Sequence, residues 1–190
     1  MSSLNNSSNV SAAKPNITGA IYRAPLNTTL PTTADEALAA GFVCLGYISE
    51  DGVTNSNARE SDEFKAWGGD TVLTSQTSYT DTFQFNLIEY LKKAVKETVY
   101  GSDNVTGDLA TGMTVSANSK ELVSQSWVID MIMRDNTMNR IVIPSGKISE
   151  VGDVVYSDSE LTSYDVTVTA FPDSSGNTHY EYIKAAPIVT

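Results

Sequence analysis

Glu60, Asp62 and Glu63 form the densest cluster of reactive side chains in the chain. Paired carboxylates are the usual equipment of general acid–base chemistry, which requires two such groups held in different environments within a cleft. These three sit in a polar stretch with few apolar neighbours, the setting of a solvated charge cluster. A serine nucleophile would need a base, and His179, the only histidine, is linked to no Gly-x-Ser-x-Gly elbow. Its alternating surroundings suggest an ordinary strand residue, and one histidine cannot build a multi-histidine zinc site. Cys44, the only cysteine, can form no disulfide within the chain, and the apolar run Phe42-Val43-Cys44-Leu45 predicts a buried small hydrophobe. Asp103 to Asp108 superficially looks like a calcium loop but lacks the alternating ligands and the closing Glu, which leaves a solvated turn. Gly68-Gly69-Asp70 has no Gly-Lys-Ser/Thr of a phosphate loop. No catalytic residue, cofactor site or metal site is expected, and the chain reads as something other than an enzyme.

Composition points the same way. The 190 residues carry 12 Lys plus Arg against 23 Asp plus Glu, a formal charge of −11. Nucleic-acid binders need a basic stripe to displace counterions, so a phosphate-gripping surface is not expected, although DNA could still be a neighbour that must not stick. The first residues lack the charged start and apolar core of a signal peptide, and no apolar run approaches a membrane span. The expectation is a soluble protein of a reducing compartment. The Asn-x-Ser/Thr triplets, such as Asn16-Ile17-Thr18, are no more than chance supplies in a chain this rich in Ser, Thr and Asn.

The elements that would position these residues are mostly strands. Met1 to Lys14 is Ser/Asn-rich with hardly an apolar anchor, so it should order only against something else, a neighbouring subunit being the natural candidate. Residues 1–31 read as an extended arm broken by Pro15, Pro25 and Pro31, and 32–190 as a single domain. Thr33 and Glu36 have capping-box spacing and predict a short helix through Ala40, ended by Gly41. Phe42 to Ser49 should be a buried strand. Asp51 to Asp70 is a long polar stretch read as an oversized loop between strands, before the Thr/Val/Tyr/Phe-rich strand Thr71 to Phe85. Asn86 as N-cap, with Glu89 three residues on, predicts an amphipathic helix from 86 to 100, its wet side marked by Lys92, Lys93, Lys96 and Glu97, stopped by Gly101. Alternation from Trp127 to Met133, a turn at Arg134 to Asn139, and Arg140 to Ile143 predict a hairpin. Tyr164 to Ala170 predicts a strand, Asp173 to Asn177 a turn, and His179 to Lys184 a strand pairing back. About seven strands and one helix indicate a mainly β fold, a β-sandwich or partial barrel flanked by the helix.

Between Leu30 and about Val105 the chain resembles the major tail proteins of siphophages, the subunits that stack into the tail tube. The resemblance rests on the order of Ala34-Asp35-Glu36-Ala37-Leu38, Leu45-Gly46-Tyr47 within Phe42 to Val53, and Lys65-Ala66-Trp67-Gly68-Gly69-Asp70-Thr71-Val72. It continues in Tyr79-Thr80-Asp81-Thr82-Phe83-Gln84-Phe85, Glu89 and Tyr100-Gly101. It covers somewhat less than half the chain, and the remainder fits by strand pattern only.

That resemblance implies a helix-flanked sandwich associating as hexameric rings, with inner sheets closing a barrel across the ring and loops and arms clipping ring to ring. It implies self-assembly into a virion tail, with the tape measure, tail tip and terminator proteins as partners. DNA would transit the lumen during genome ejection without specific binding, assembly would occur in the host bacterial cytoplasm, and no membrane would be involved. The acidic balance would then serve as a like-charged wall against DNA adhesion. Within the polar stretch, Asp51, Phe64, Trp67, Gly68, Gly69 and Asp70 are the expected inter-ring contact, with Trp67 as its anchor. The alternative is that Trp67 packs on its own domain, with Gly68 and Gly69 permitting a turn. Rival readings are a monomeric or trimeric Ig-like or capsid-decorating module and a related secretion-system tube protein.

Overall fold

A computed structural model describes residues 5–16 and 18–185. Among these residues eleven strands are present: β1 (Lys14–Pro15), β2 (Ile21–Pro25), β3 (Val43–Cys44), β4 (Ile48–Lys65), β5 (Thr71–Leu87), β6 (Val105–Asp108), β7 (Gly112–Val115), β8 (Gln125–Ile132), β9 (Met138–Val151), β10 (Tyr164–Phe171) and β11 (Tyr180–Lys184). One α-helix, α1 (Lys93–Tyr100), occurs among the described residues. Nine strands build a single antiparallel sheet in the order β3-β2-β8-β9-β10-β5-β4, with β1 on β8 and β11 on β9, while β6 and β7 pair separately. The sheet does not close on itself, so the mainly β expectation is met without a closed barrel.

Alternation dictates the faces. Tyr164, Val166, Val168 and Ala170 of β10 and Phe83, Phe85 and Leu87 of β5 point into one core with Trp127, Ile129, Ile143, Val95 and Val99. The helix α1 lies on that face. Its Lys96, expected on the wet side, is buried instead: its ammonium lies 3.0 Å over the Tyr90 ring and donates to the Tyr164 hydroxyl at 2.8 Å. Burial pushes that hydroxyl well above the ordinary tyrosine range, so it stays neutral and accepts. A cation over an aromatic face replaces the carboxylate that a buried lysine usually needs.

Several expectations change for physical reasons. The helix is two turns, Lys93–Tyr100, because β5 continues through Asn86, paired to Asp165, and Leu87, paired to Tyr164 and fully buried. Sheet bonding and burial of Leu87 outweigh a local cap signal. Gly101, at φ +88, ends the helix as expected. No helix forms at 33–40, where the chain only turns. The Thr33 and Glu36 carbonyls, which a helix would bond internally, accept instead from the Arg140 guanidinium at 3.2 and 2.6 Å. The buried strand Phe42 to Ser49 is divided at Gly46, φ +87, leaving Cys44 only half-buried and Leu45 buried. Within the stretch read as an arm, Ile21–Pro25 is β2, inside the sheet and paired to β8 and β3. Residues 7–15 are held by the same chain, Arg134 donating to the Ser7 carbonyl at 3.0 Å and β1 pairing Ile132 and Met131. Met1 to Leu4 lie outside the described residues.

The largest correction concerns Asp51 to Asp70. It is no loop: Ile48–Lys65 is a strand paired to β5 from Ile48↔Leu87 to Lys65↔Thr71. Only Ala66 to Asp70 turns. β11 also departs from expectation. Both edges of β10 are occupied, by β5 and β9, so β11 cannot fold back on it and pairs β9 instead, Tyr180↔Val142 to Lys184↔Met138. β10 and β11 thus run along one edge of β9, with residues 172–179 looping out between them.

Candidate assembly surfaces

From Asp81 to Leu87, β5 is flanked by β10 and β4, but from Thr71 to Thr80 it has β4 alone. The two strands therefore leave the body as a free two-stranded arm of about 30 Å, at roughly 3.3 Å per residue. Its tip is a tight turn in which Ala66 N–H donates to the Asp70 carbonyl at 2.8 Å and Gly69 N–H to the Ala66 carbonyl at 3.0 Å. Gly68 and Gly69 adopt φ of +119° and +102°, accessible at little cost only without a side chain. Trp67 is fully exposed and touches none of its own core. Phe64, at 53% exposure, faces Leu73 across the strands, and Val72 lies beside them, also exposed. An isolated apolar group this size on a narrow ribbon is what a contact surface needs rather than what a monomer needs.

The residues singled out from sequence thus fall in two places. Phe64, Trp67, Gly68, Gly69 and Asp70 gather at the tip. Asp51 lies near the other end of β4, more than a dozen strand residues away, about 40 Å by strand rise, where it accepts from the Ser49 hydroxyl at 3.1 Å. Glu60, Asp62 and Glu63 are exposed on the arm, Glu60 accepting from Ser78 and Glu63 from Thr71, and they line no cleft. Asp108, in the stretch compared with a calcium loop, accepts from the Thr111 and Ala110 N–H groups. Those bonds, Thr111's foremost, hold its carboxyl below the usual range. Among the described residues no group of three His, Cys, Asp or Glu could hold a metal ion.

A second surface was not visible in the sequence. On the face of β4, β5, β10 and β9 away from the core, two rows cross the strands: Thr54, Gln84, Thr167 and Glu150, then Ser56, Thr82, Thr169 and Lys147. Hydroxyls and amides dominate, tied by Gln84 to Asp165 at 2.9 Å and Thr169 to Ser149 at 2.8 Å. Only period-two alternation could have signalled it, and the pairing of strands distant in sequence decides which polar residues share a row. The opposite end of the sheet is different. There residues 28–41 cover the outer face, and Arg140 meets Asp130 bidentately at 2.6 and 2.8 Å, both buried.

Two pieces of the resemblance meet in space. Glu89 reaches over Gly46 to accept from Tyr47 N–H at 2.8 Å, and a Cβ on Gly46 would lie 2.0 Å from that carboxylate. The Leu-Gly-Tyr segment and Glu89 are therefore one structural unit, locking the start of β4 to the chain entering α1.

An open antiparallel sheet with one bare polar face and an exposed arm ending in an aromatic defines a structural subunit built for contact. Residues 2–189 match the model of the phage tail tube protein family, and the chain belongs to that family. Among curated proteins none matches it. It is accordingly a structural protein of the bacteriophage virion tail, in a family whose members assemble with one another and with other tail components. No helix among the described residues is long and apolar enough to cross a membrane.

Proposed function

We propose that this chain assembles into hexameric rings stacked as the tail tube, with the β4–β5 arm as the ring-to-ring contact. The observation that carries the reading is Trp67, wholly exposed at the end of an arm that leaves the body. Its exposure is costly for a monomer and removed if the tip docks on a neighbouring copy. The bare polar face of β4, β5, β10 and β9 is the proposed lumen wall, and copies would continue the sheet through its open edges, which otherwise invite irregular pairing.

On this reading the wall is rich in hydroxyls and only weakly acidic. Asp51, Asp165 and Glu150 lie on it, and its Lys147 is paired with Glu121, so most of the −11 charge lies elsewhere. DNA would pass because the wall offers no cationic grip, with mild repulsion assisting. Tape measure, tip and terminator proteins are the proposed partners at the tube ends.

Negative-stain microscopy of purified wild type and Trp67→Ala at increasing concentration tests this. Hollow tubes of regular repeat from the wild type, and folded subunits without tubes from the variant, are the expected results. Normal tubes from Trp67→Ala overturn the tip contact.

A further inference from the structure

We propose that Asp81 and His179 form a positioning clamp that fixes the angle at which the arm leaves the body. Asp81 occupies the branch point: Ala170↔Asp81 is the last pair joining β5 to β10, and beyond it the arm stands alone. Its side chain is wholly inaccessible to solvent, unusual for a carboxylate. The carboxylate collects donors from two other segments. Asn55 of β4 donates at 2.8 Å, and Thr178 and His179, from the loop between β10 and β11, each donate at 2.6 Å. An ionised carboxylate only accepts, so His179 donates through Nδ1–H. The imidazole edge also packs on Phe83, ring centres 5.2 Å apart, which anchors it to the core. Tyr79, the next residue on that side of the arm, bonds Asn57 and reaches Thr178 at 3.5 Å.

The physical consequence is a stiff joint. A two-stranded ribbon is marginal by itself and free to twist and bend. A buried carboxylate is tolerated only where its hydrogen bonds are made, and these three are made together in one relative placement of β4, β5 and the 172–179 loop. The lever is long. A swing of ~10° at the base carries a tip ~30 Å away by ~5 Å, enough to spoil a docked aromatic. The only histidine of the chain, read from sequence as an ordinary strand residue, thus has a positioning role. The consequence for assembly rests on the reading of the arm as the inter-ring contact.

The clamp is tested in dilute, unassembled protein carrying Cys44→Ser, with spin labels at Ser75→Cys on the arm and Ser116→Cys on the body. Electron–electron distance measurement should give one narrow distribution in that background. Asp81→Ala and His179→Ala should broaden it by several ångströms, while His179→Gln, which keeps a donor, should restore a narrow one. Thermal melts establish that each variant is folded, and His179→Ala carries the test if Asp81→Ala is not. An unchanged distribution in a folded variant overturns the clamp, whatever happens to tubes. Normal tubes from Trp67→Ala overturn the contact reading, whatever the distances show.

Discussion

At the β2–β8–β9 end of the sheet the chain covers both faces itself, whereas at the β5–β4 end it leaves one face and a whole hairpin to water. In the first region Ser126, Val128 and Asp130 are buried on the face opposite Trp127 and Ile129, and residues 28–41 close over them. In the second, every residue from Thr54 to Asp70 is exposed. The first region is finished by folding. Beyond Asp81 the arm of the second has regular backbone but few contacts with the body, so its exposed tip adds little to the stability of the subunit itself. Stability and assembly should therefore respond to different residues.

The sharpest way to break that separation is Arg140→Ala. It strands the buried Asp130 charge and leaves the Thr33 and Glu36 carbonyls without a donor, a loss of about 3–5 kcal/mol for a broken buried pair. Urea denaturation should show it, and adding Asp130→Leu should recover part of the loss. A variant as stable as wild type would mean that the cover over β8 contributes nothing. Next comes Gly46→Ala, which combines a φ of +87° with a clash against Glu89, at about 2 kcal/mol. Removing the clash with Glu89→Ala should relieve only the part that is not backbone strain.

A smaller effect separates charge from shape at the same place. Burial raises the Glu89 carboxyl, but hydrogen bonds from Lys92 and the Tyr47 N–H outweigh it and leave the group below its usual value. A depressed carboxyl contributes stability that is present above its unfolded value, near pH 4.3, and lost as pH falls through the folded one. Glu89→Gln should thus cost about 1 kcal/mol at pH 7, and the gap to wild type should shrink below about pH 4.5 in pH-dependent melts. The smallest stability change belongs to the largest exposed side chain. Trp67→Ala should alter the unfolding free energy by no more than about 0.5 kcal/mol. A larger loss would mean that the arm packs on its own body and would erase the contrast between the two regions.

How much of this was legible depended on whether a residue's role was local. Tyr164 to Ala170 read correctly, and the turn after Arg134 was placed rightly though it ends two residues earlier than Asn139, because alternation and turn residues act within a few positions. Gly101 ended its helix as read, and of the residues grouped from sequence Phe64 to Asp70 share the tip while Asp51 does not. Asp51 to Lys65 read as a loop because apolar alternation marks a strand only when one face is buried, and here neither is. Asn86 and Thr33 carried good cap signals that lost to β10 and to Arg140, partners 79 and 107 positions away. His179 gave no sign of Asp81, because nothing in its own segment reports on a carboxylate 98 residues earlier.

The sequence by itself determined the class of molecule: a mainly β, acidic chain carrying an ordered set of segments like those of tail tube subunits. Composition, period-two patterning and the order of motifs survive without knowledge of contacts. Only the tertiary structure decided that the polar stretch is an arm, which face of the sheet stays bare, and that Lys96, Asp81 and Arg140 are buried. Those outcomes depend on which strands pair and which edges are already taken, and pairing between distant segments is settled by the whole fold at once.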